Sequence, residues 1–339
     1  MLNKTIKKGN KTLLNVVAYS LLIVGAFVAG RSMLSVAVES LGESFGWWTF
    51  ALATVPLVTV AARSLVINTL CPDIRKRDAL KAEAVHVAAA NTIIIGGGAV
   101  GAGAKAWLLS KSGVRIEILV AMFLTSGAIA GVGSWMLAAS GLMGAATRGS
   151  IPGAAFGFSV CCAMAAANLA VWWFLIFNGR LTERVGRVVG HVCRQAGVEI
   201  DADGAEGVAH AAREAAKHAV SKRGLRAALW YFVSWVGGWT ALYISAVSVG
   251  ADEIGASKSL LVYVALRIVA VVSPLSGGVG IVEAGGVAVF AAVGLESEAG
   301  AGVIAVWRAF TWLLPSVVGW LVWGFARRHH KRNTLELAL

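Results

Sequence analysis

The chain is poor in charge, in cysteine and in proline. Charged residues are 14% of its 339 residues, and only 18 of them are acidic. Soluble domains carry about a quarter charged residues, so a water-soluble globular chain is excluded. The four cysteines provide no disulfide framework. Cys161 and Cys162 are adjacent inside an apolar run, while Cys71 and Cys193 fall in basic, cytosolic-type segments where thiols stay reduced. None has the Cys/His spacing of a zinc or haem site, and His329-His330 belongs to a basic tail that reads as a solvated charge cluster. The chain has five prolines, and one of them, Pro274, belongs to a break in an apolar run.

Apolar runs dominate the chain. Hydrophobic residues reach 58%, mean hydropathy is +0.74, and several runs approach the roughly 20 residues that cross about 30 Å of hydrocarbon. Many of the 13 tryptophans sit near run ends, including Trp47, Trp48, Trp107, Trp172, Trp173, Trp230 and Trp323, where interfacial anchors belong. The formal charge of +12 is placed mainly in loops between runs. That placement fits orientation by the positive-inside rule and attraction to an anionic inner leaflet, not nucleic-acid binding. The fold class is all-α, a polytopic membrane helix bundle of six to eight transmembrane helices.

In chain order, the basic start leads into a first span near Leu13–Gly30. A loop with Glu39 and Glu43 suits the outside, and a second span near Phe45–Ile67 returns inward with Arg63 at its end. Arg75, Lys76, Arg77 and Lys81 mark the inside. The segment Ala84–Ala104 has Asn91 in mid-run and a glycine patch in which Gly96, Gly98 and Gly101 satisfy G-x-G-x-x-G. No alternating strand and helix pattern surrounds that patch, so no nucleotide site and no cofactor is implied. Lys105, Lys111 and Arg115 follow. Spans near Ile116–Ala138 and Gly153–Phe177 carry Gly127-x-x-x-Gly131 and Gly153-x-x-x-Gly157, a spacing that permits close helix packing. The segment 178–226 is polar, basic and helical in pattern, a cytosolic linker between membrane halves 1–177 and 227–339. A span near Ala227–Val249, an acidic loop (Asp252, Glu253), a run Ser259–Val272 with Arg267, a Pro-Gly break, a run to Val293, a second acidic loop (Glu296, Glu298) and a span near Val303–Phe325 complete the chain.

Charge parity constrains the path. The linker and the basic C-terminal tail belong inside and the two acidic loops outside, so the broken segment around Pro274 enters and leaves from the outer face. Its limbs, about 14 residues each, are short for full crossings. The glycine patch, flanked by two basic loops, enters and leaves from the cytosol. Six spans and two re-entrant hairpins result, in two inverted repeats, the recurring plan of secondary transporters. The alternative, one crossing per broken segment, makes eight spans and forces the basic linker outside.

The break at Pro274, Gly277, Gly278 and Gly280 exposes backbone N–H groups, and the following helix start carries partial positive charge suited to an anionic headgroup. Glu283 follows in the first helical turn, either as a cap or partner of Arg267 or Arg308, or as a ligand for a cationic or titrating group. Arg308 is either its partner or a clamp on a lipid phosphate, since charge at membrane depth demands a partner. Arg63 and Lys105 read first as interfacial anchors that snorkel, and otherwise as members of the same site.

The run Pro274-Leu275-Ser276-Gly277-Gly278-Val279-Gly280-Ile281-Val282-Glu283-Ala284, then Trp307-Arg308, Leu314-Pro315 and Gly319, resembles the signature of the lysylphosphatidylglycerol synthase transmembrane region family. Arg63, closing the second span, is similar too. The family's first-half motif P-G-x-x-G-E-x-x-R-A is partly present. Gly98, Gly101, Lys105 and Ala106 fit, whereas Gly97 and Ala102 replace the proline and the acid. The resemblance implies a flippase-like protein of a prokaryotic cytoplasmic membrane, with both termini cytosolic by the charge pattern. It binds or translocates an anionic or aminoacylated phospholipid or a lipid-linked glycan. A soluble aminoacyltransferase domain is not recognisable, so lipid synthesis is not implied and no catalytic residue or metal ligand is nominated. The rival reading is a non-transporting scaffold for a lipid- or glycan-modifying enzyme, and homo-oligomer or enzyme partners are left open.

Overall fold

The computed structural model describes residues 46–93, 96–114, 116–147, 153–177, 221–272 and 276–336. The expected first span, the loop after it to residue 45, the linker as far as residue 220, and Pro274 lie outside these residues. Among the described residues the ordered elements are helices only. Four helices are long and apolar enough to cross a membrane: Trp47–Leu70, Ile118–Thr147, Ala154–Phe174 and Ser297–Arg327. Helix α1 is Trp47–Leu70. Two shorter helices, α2 (Lys76–Thr92) and α3 (Gly97–Lys111), pack against each other as a hairpin. Helix α4 (Ile116–Thr147) extends past the expected end at Ala138, because neither charge nor proline interrupts its apolar run from Ile118 onward. Helix α5 is Ala154–Phe177.

Helix α6 (Lys222–Ser248) starts within the expected linker, capped by Ser221, whose hydroxyl accepts from the backbone N–H groups of Arg223 and Gly224. Its 27 residues have the length to cross, at about 1.5 Å per residue. Tyr, Trp, Gly and Ser dilute its hydropathy. Helices α7 (Gly255–Val272) and α8 (Ile281–Ala292) form the second hairpin, joined by a short 3₁₀ turn at Ser276–Gly278. Helix α9 (Ser297–Arg308) passes through a π turn at Ala309–Leu313 into α10 (Leu314–Glu336) without leaving the helical path.

At 17, 15, 18 and 12 residues, the hairpin limbs are unequal rather than matched. The shortest spans only about 18 Å, well under the hydrocarbon thickness. Each second limb begins after a glycine with positive φ, Gly96 at 71° and Gly280 at 79°. Such a conformation is strained for any residue with a Cβ. The tips touch: Gly277 lies so close to Asn91 that an added Cβ would stand 2.8 Å from the Asn91 carbonyl oxygen.

Because lipid tails are as apolar as leucine, packing rather than water exclusion holds such a bundle together, and small residues decide where backbones approach. Helix α6 lies on α1 at Gly237, where a Cβ would come 2.6 Å from the Thr59 methyl, and on α4 at Gly133, which sits directly under the Trp235 ring. Of the two G-x-x-x-G pairs, Gly131 and Gly157 meet Asn168 and Leu142 across the α4–α5 contact, while Gly127 and Gly153 face open space. Leu242, Val262, Leu266, Val282, Phe290 and Ile304 form the main core around the second hairpin. Ile67, Leu109, Leu119 and Met122 form a smaller one beside the first.

Candidate functional site

Each hairpin carries a buried ion pair. In the second, the Arg308 Nε–H donates to Glu283 Oε1 at 2.7 Å, and the Arg308 side chain is 9% exposed. Its guanidinium also lies 5.4 Å from the Trp312 ring centre, within cation–π range. Glu283 sits in the first turn of α8, where the helix dipole favours a carboxylate. Of the partners open to it in sequence, Arg308 takes the contact and Arg267 does not. Glu283 Oε2 is buried with no partner among the described residues.

In the first hairpin the acid comes from a residue that sequence reasoning missed. Glu83, 1% exposed, receives a hydrogen bond from Lys105 Nζ at 2.8 Å, and Arg63 Nε stands 2.9 Å from its other oxygen. Lys105 also lies 5.4 Å from the Phe123 ring centre. These contacts correct the snorkelling expectation: Lys105, 7% exposed, is held inside by its pair, and Arg63 points to the same carboxylate. The carboxylate that pairs with Lys105 thus comes from the opposite limb, not from position 102, where Ala102 stands. The signal was present, since Glu83 falls on a helix of otherwise apolar spacing, but Lys76, Arg77, Asp78 and Lys81 made it look like part of a solvated turn.

The tip of the first hairpin is latched to the last helix through Asn91. Its side-chain amide donates to the Trp312 carbonyl at 3.3 Å and to the Ser316 hydroxyl at 3.2 Å, while the Trp312 indole N–H donates to the Asn91 carbonyl at 3.2 Å. Trp312 lies in the π turn, and Pro315 explains the turn. Proline has no N–H for the Thr311 carbonyl and crowds it, so the helix widens just before it. The Trp312 carbonyl accepts from both the Asn91 amide and the Ser316 hydroxyl.

Around this latch lies a cavity of about 680 Å³. Arg63, Arg267 and Arg308 contribute to its wall, together with Asn91, Gly96 and Gly277 from the hairpin tips and Tyr231, Trp235, Tyr263, Trp307 and Trp312. Gly278, Gly280, Glu283 and Lys105 are not part of the wall, so of the glycines expected to donate backbone N–H groups only Gly277 reaches it. The Gly96-x-Gly98-x-x-Gly101 run forms the tip and first turn of α3, with no strand before it. Outside the spans, burial, with a smaller contribution from Asp73, pushes the Cys71 thiol up to about 11, so it stays protonated at physiological pH. No group of three metal-ligating side chains occurs among the described residues.

Spanning helices, broken hairpins and buried ion pairs define an integral, multi-pass membrane protein. The model of the lysylphosphatidylglycerol synthase TM region matches residues 13–319, and the chain belongs to that family, as the motif at Gly277–Gly319 implies. No curated protein and no solved structure matches it.

Proposed function

We propose that the protein binds the polar headgroup of a membrane lipid in the cavity between the hairpin tips and carries it across the bilayer. The observation that supports this best is the cavity itself, walled by three guanidiniums and both broken-helix tips. A headgroup phosphate suits such donors, and a space of a few hundred Å³ suits a small ligand. In this reading Arg308 and Arg63 face the headgroup, Glu83, Glu283 and Lys105 hold those arginines in place, and Gly277 lets it approach the backbone. The family supports lipid as the partner. The family resemblance supports a cytoplasmic membrane of a prokaryote, and the charge pattern supports cytosolic termini and two inverted halves joined by the basic linker.

The test is lipid translocation in proteoliposomes. Arg308→Ala and Glu283→Ala should each slow transfer about tenfold or more, the equivalent of about 1.4 kcal/mol. Unchanged rates in both would remove these residues from the path. No transfer by the intact protein, with a lipid- or glycan-modifying enzyme co-purifying in stoichiometric amount, would replace this reading with a scaffold role.

A further inference from the structure

The cavity wall is electrically one-sided. Arg63, Arg267 and Arg308 belong to it, and no described aspartate or glutamate does. Glu83 and Glu283, which pair with Arg63 and Arg308, stand outside the wall, so each pair presents its cationic member to the cavity. Arg267 differs from the other two. It is exposed in the wall, and no carboxylate of the described residues pairs with it. Trp307, only 8% exposed, adds a buried indole N–H with no described acceptor. Guanidiniums and an unused N–H are donors only, so Arg267 and the Trp307 N–H are the members of the wall left to meet an acceptor.

A headgroup bearing its own ammonium would bring a second cation toward Arg267 in a space where charge is poorly screened. The aromatic wall attracts cations in general, but Arg308 already covers the face of Trp312. We propose that the cavity selects a headgroup of net negative charge, a phosphodiester with an uncharged hydroxylic substituent, over zwitterionic or aminoacylated headgroups, and that Arg267 sets this preference. The proposal rests on the headgroup-binding reading above.

The full chain would be equilibrated with an equimolar mixture of three phospholipids of identical acyl chains, bearing glycerol, ethanolamine and lysyl-glycerol headgroups. Native mass spectrometry then counts the lipid retained. The glycerol form should exceed the other two by about tenfold, the scale of one uncompensated charge. Arg267→Gln should bring the three forms to within about threefold while lipid is still retained, and Arg267→Lys should keep the preference. Excess inorganic phosphate should leave the lipid in place; its complete displacement would mean that a soluble phosphate is the ligand and would overturn the lipid assignment. Equal retention of the three lipids by the unaltered chain, or an unchanged ratio in Arg267→Gln, would overturn charge selection and leave headgroup binding standing. Retention of none would overturn both.

Discussion

At the scale of single residues, the ion pairs are the parts most sensitive to change. Arg308 is buried because Glu283 accepts from it. Taking away the acid strands a cation, which costs about 3–5 kcal/mol for buried pairs. Glu283→Gln is therefore expected to lower the thermal midpoint in detergent by several degrees. The double variant Glu283→Gln/Arg308→Met should recover most of that loss, because both charges go together, and should remain inactive in transfer. A single variant as stable as the parent would show that the pair carries no structural weight. Glu283 and Arg308 were legible in sequence because each is a lone charge in an apolar run. Glu83 was not, because charge on a neighbouring helical turn hides a buried acid: a window of sequence cannot tell which face of α2 meets α3.

At the scale of elements, both broken segments were readable from glycine clusters and run length, and the structure realises both as hairpins. What could not be read was the latch between the first hairpin's tip and the last helix, since Asn91 and Trp312 are separated by 221 positions and neither carries a local signal for the other. The π turn was half legible, as a proline late in an apolar run. Close approach of α10 to α2 depends on Gly319, where an added Cβ would collide with the Ala84 carbonyl oxygen and stand 2.6 Å from the Ala88 Cβ. Backbone cannot yield as a flexible side chain can. Gly319→Val is expected to destabilise the protein by about 1–3 kcal/mol, read as a lowered midpoint. A midpoint equal to the parent's would mean that α10 and α2 are free to separate.

For the whole molecule, the all-helical membrane class followed from composition alone, whereas handedness across the bilayer rests on charge placement. Single cysteines at Arg77 and Arg327 should react with a membrane-impermeant maleimide only after the cells are opened. Cysteines at Asp252 and Glu298 should react in intact cells. Labelling of Arg77→Cys from outside would refute the inward-facing base of the first hairpin.

The spacing of the two ion pairs also bears on how the chain enters the membrane during synthesis. Glu83 and Lys105 belong to one hairpin, so the buried carboxylate finds its partner as soon as that hairpin is made. Glu283 and Arg308 belong to different helices, 25 positions apart. Neither is cheap in hydrocarbon alone, so the second hairpin is expected to enter fully only once the final helix is made. Stalled nascent chains ending between Val293 and Trp307 should leave Glu283 extractable at alkaline pH, and chains extended past Phe325 should not; equal extraction of the two lengths would separate insertion from pairing.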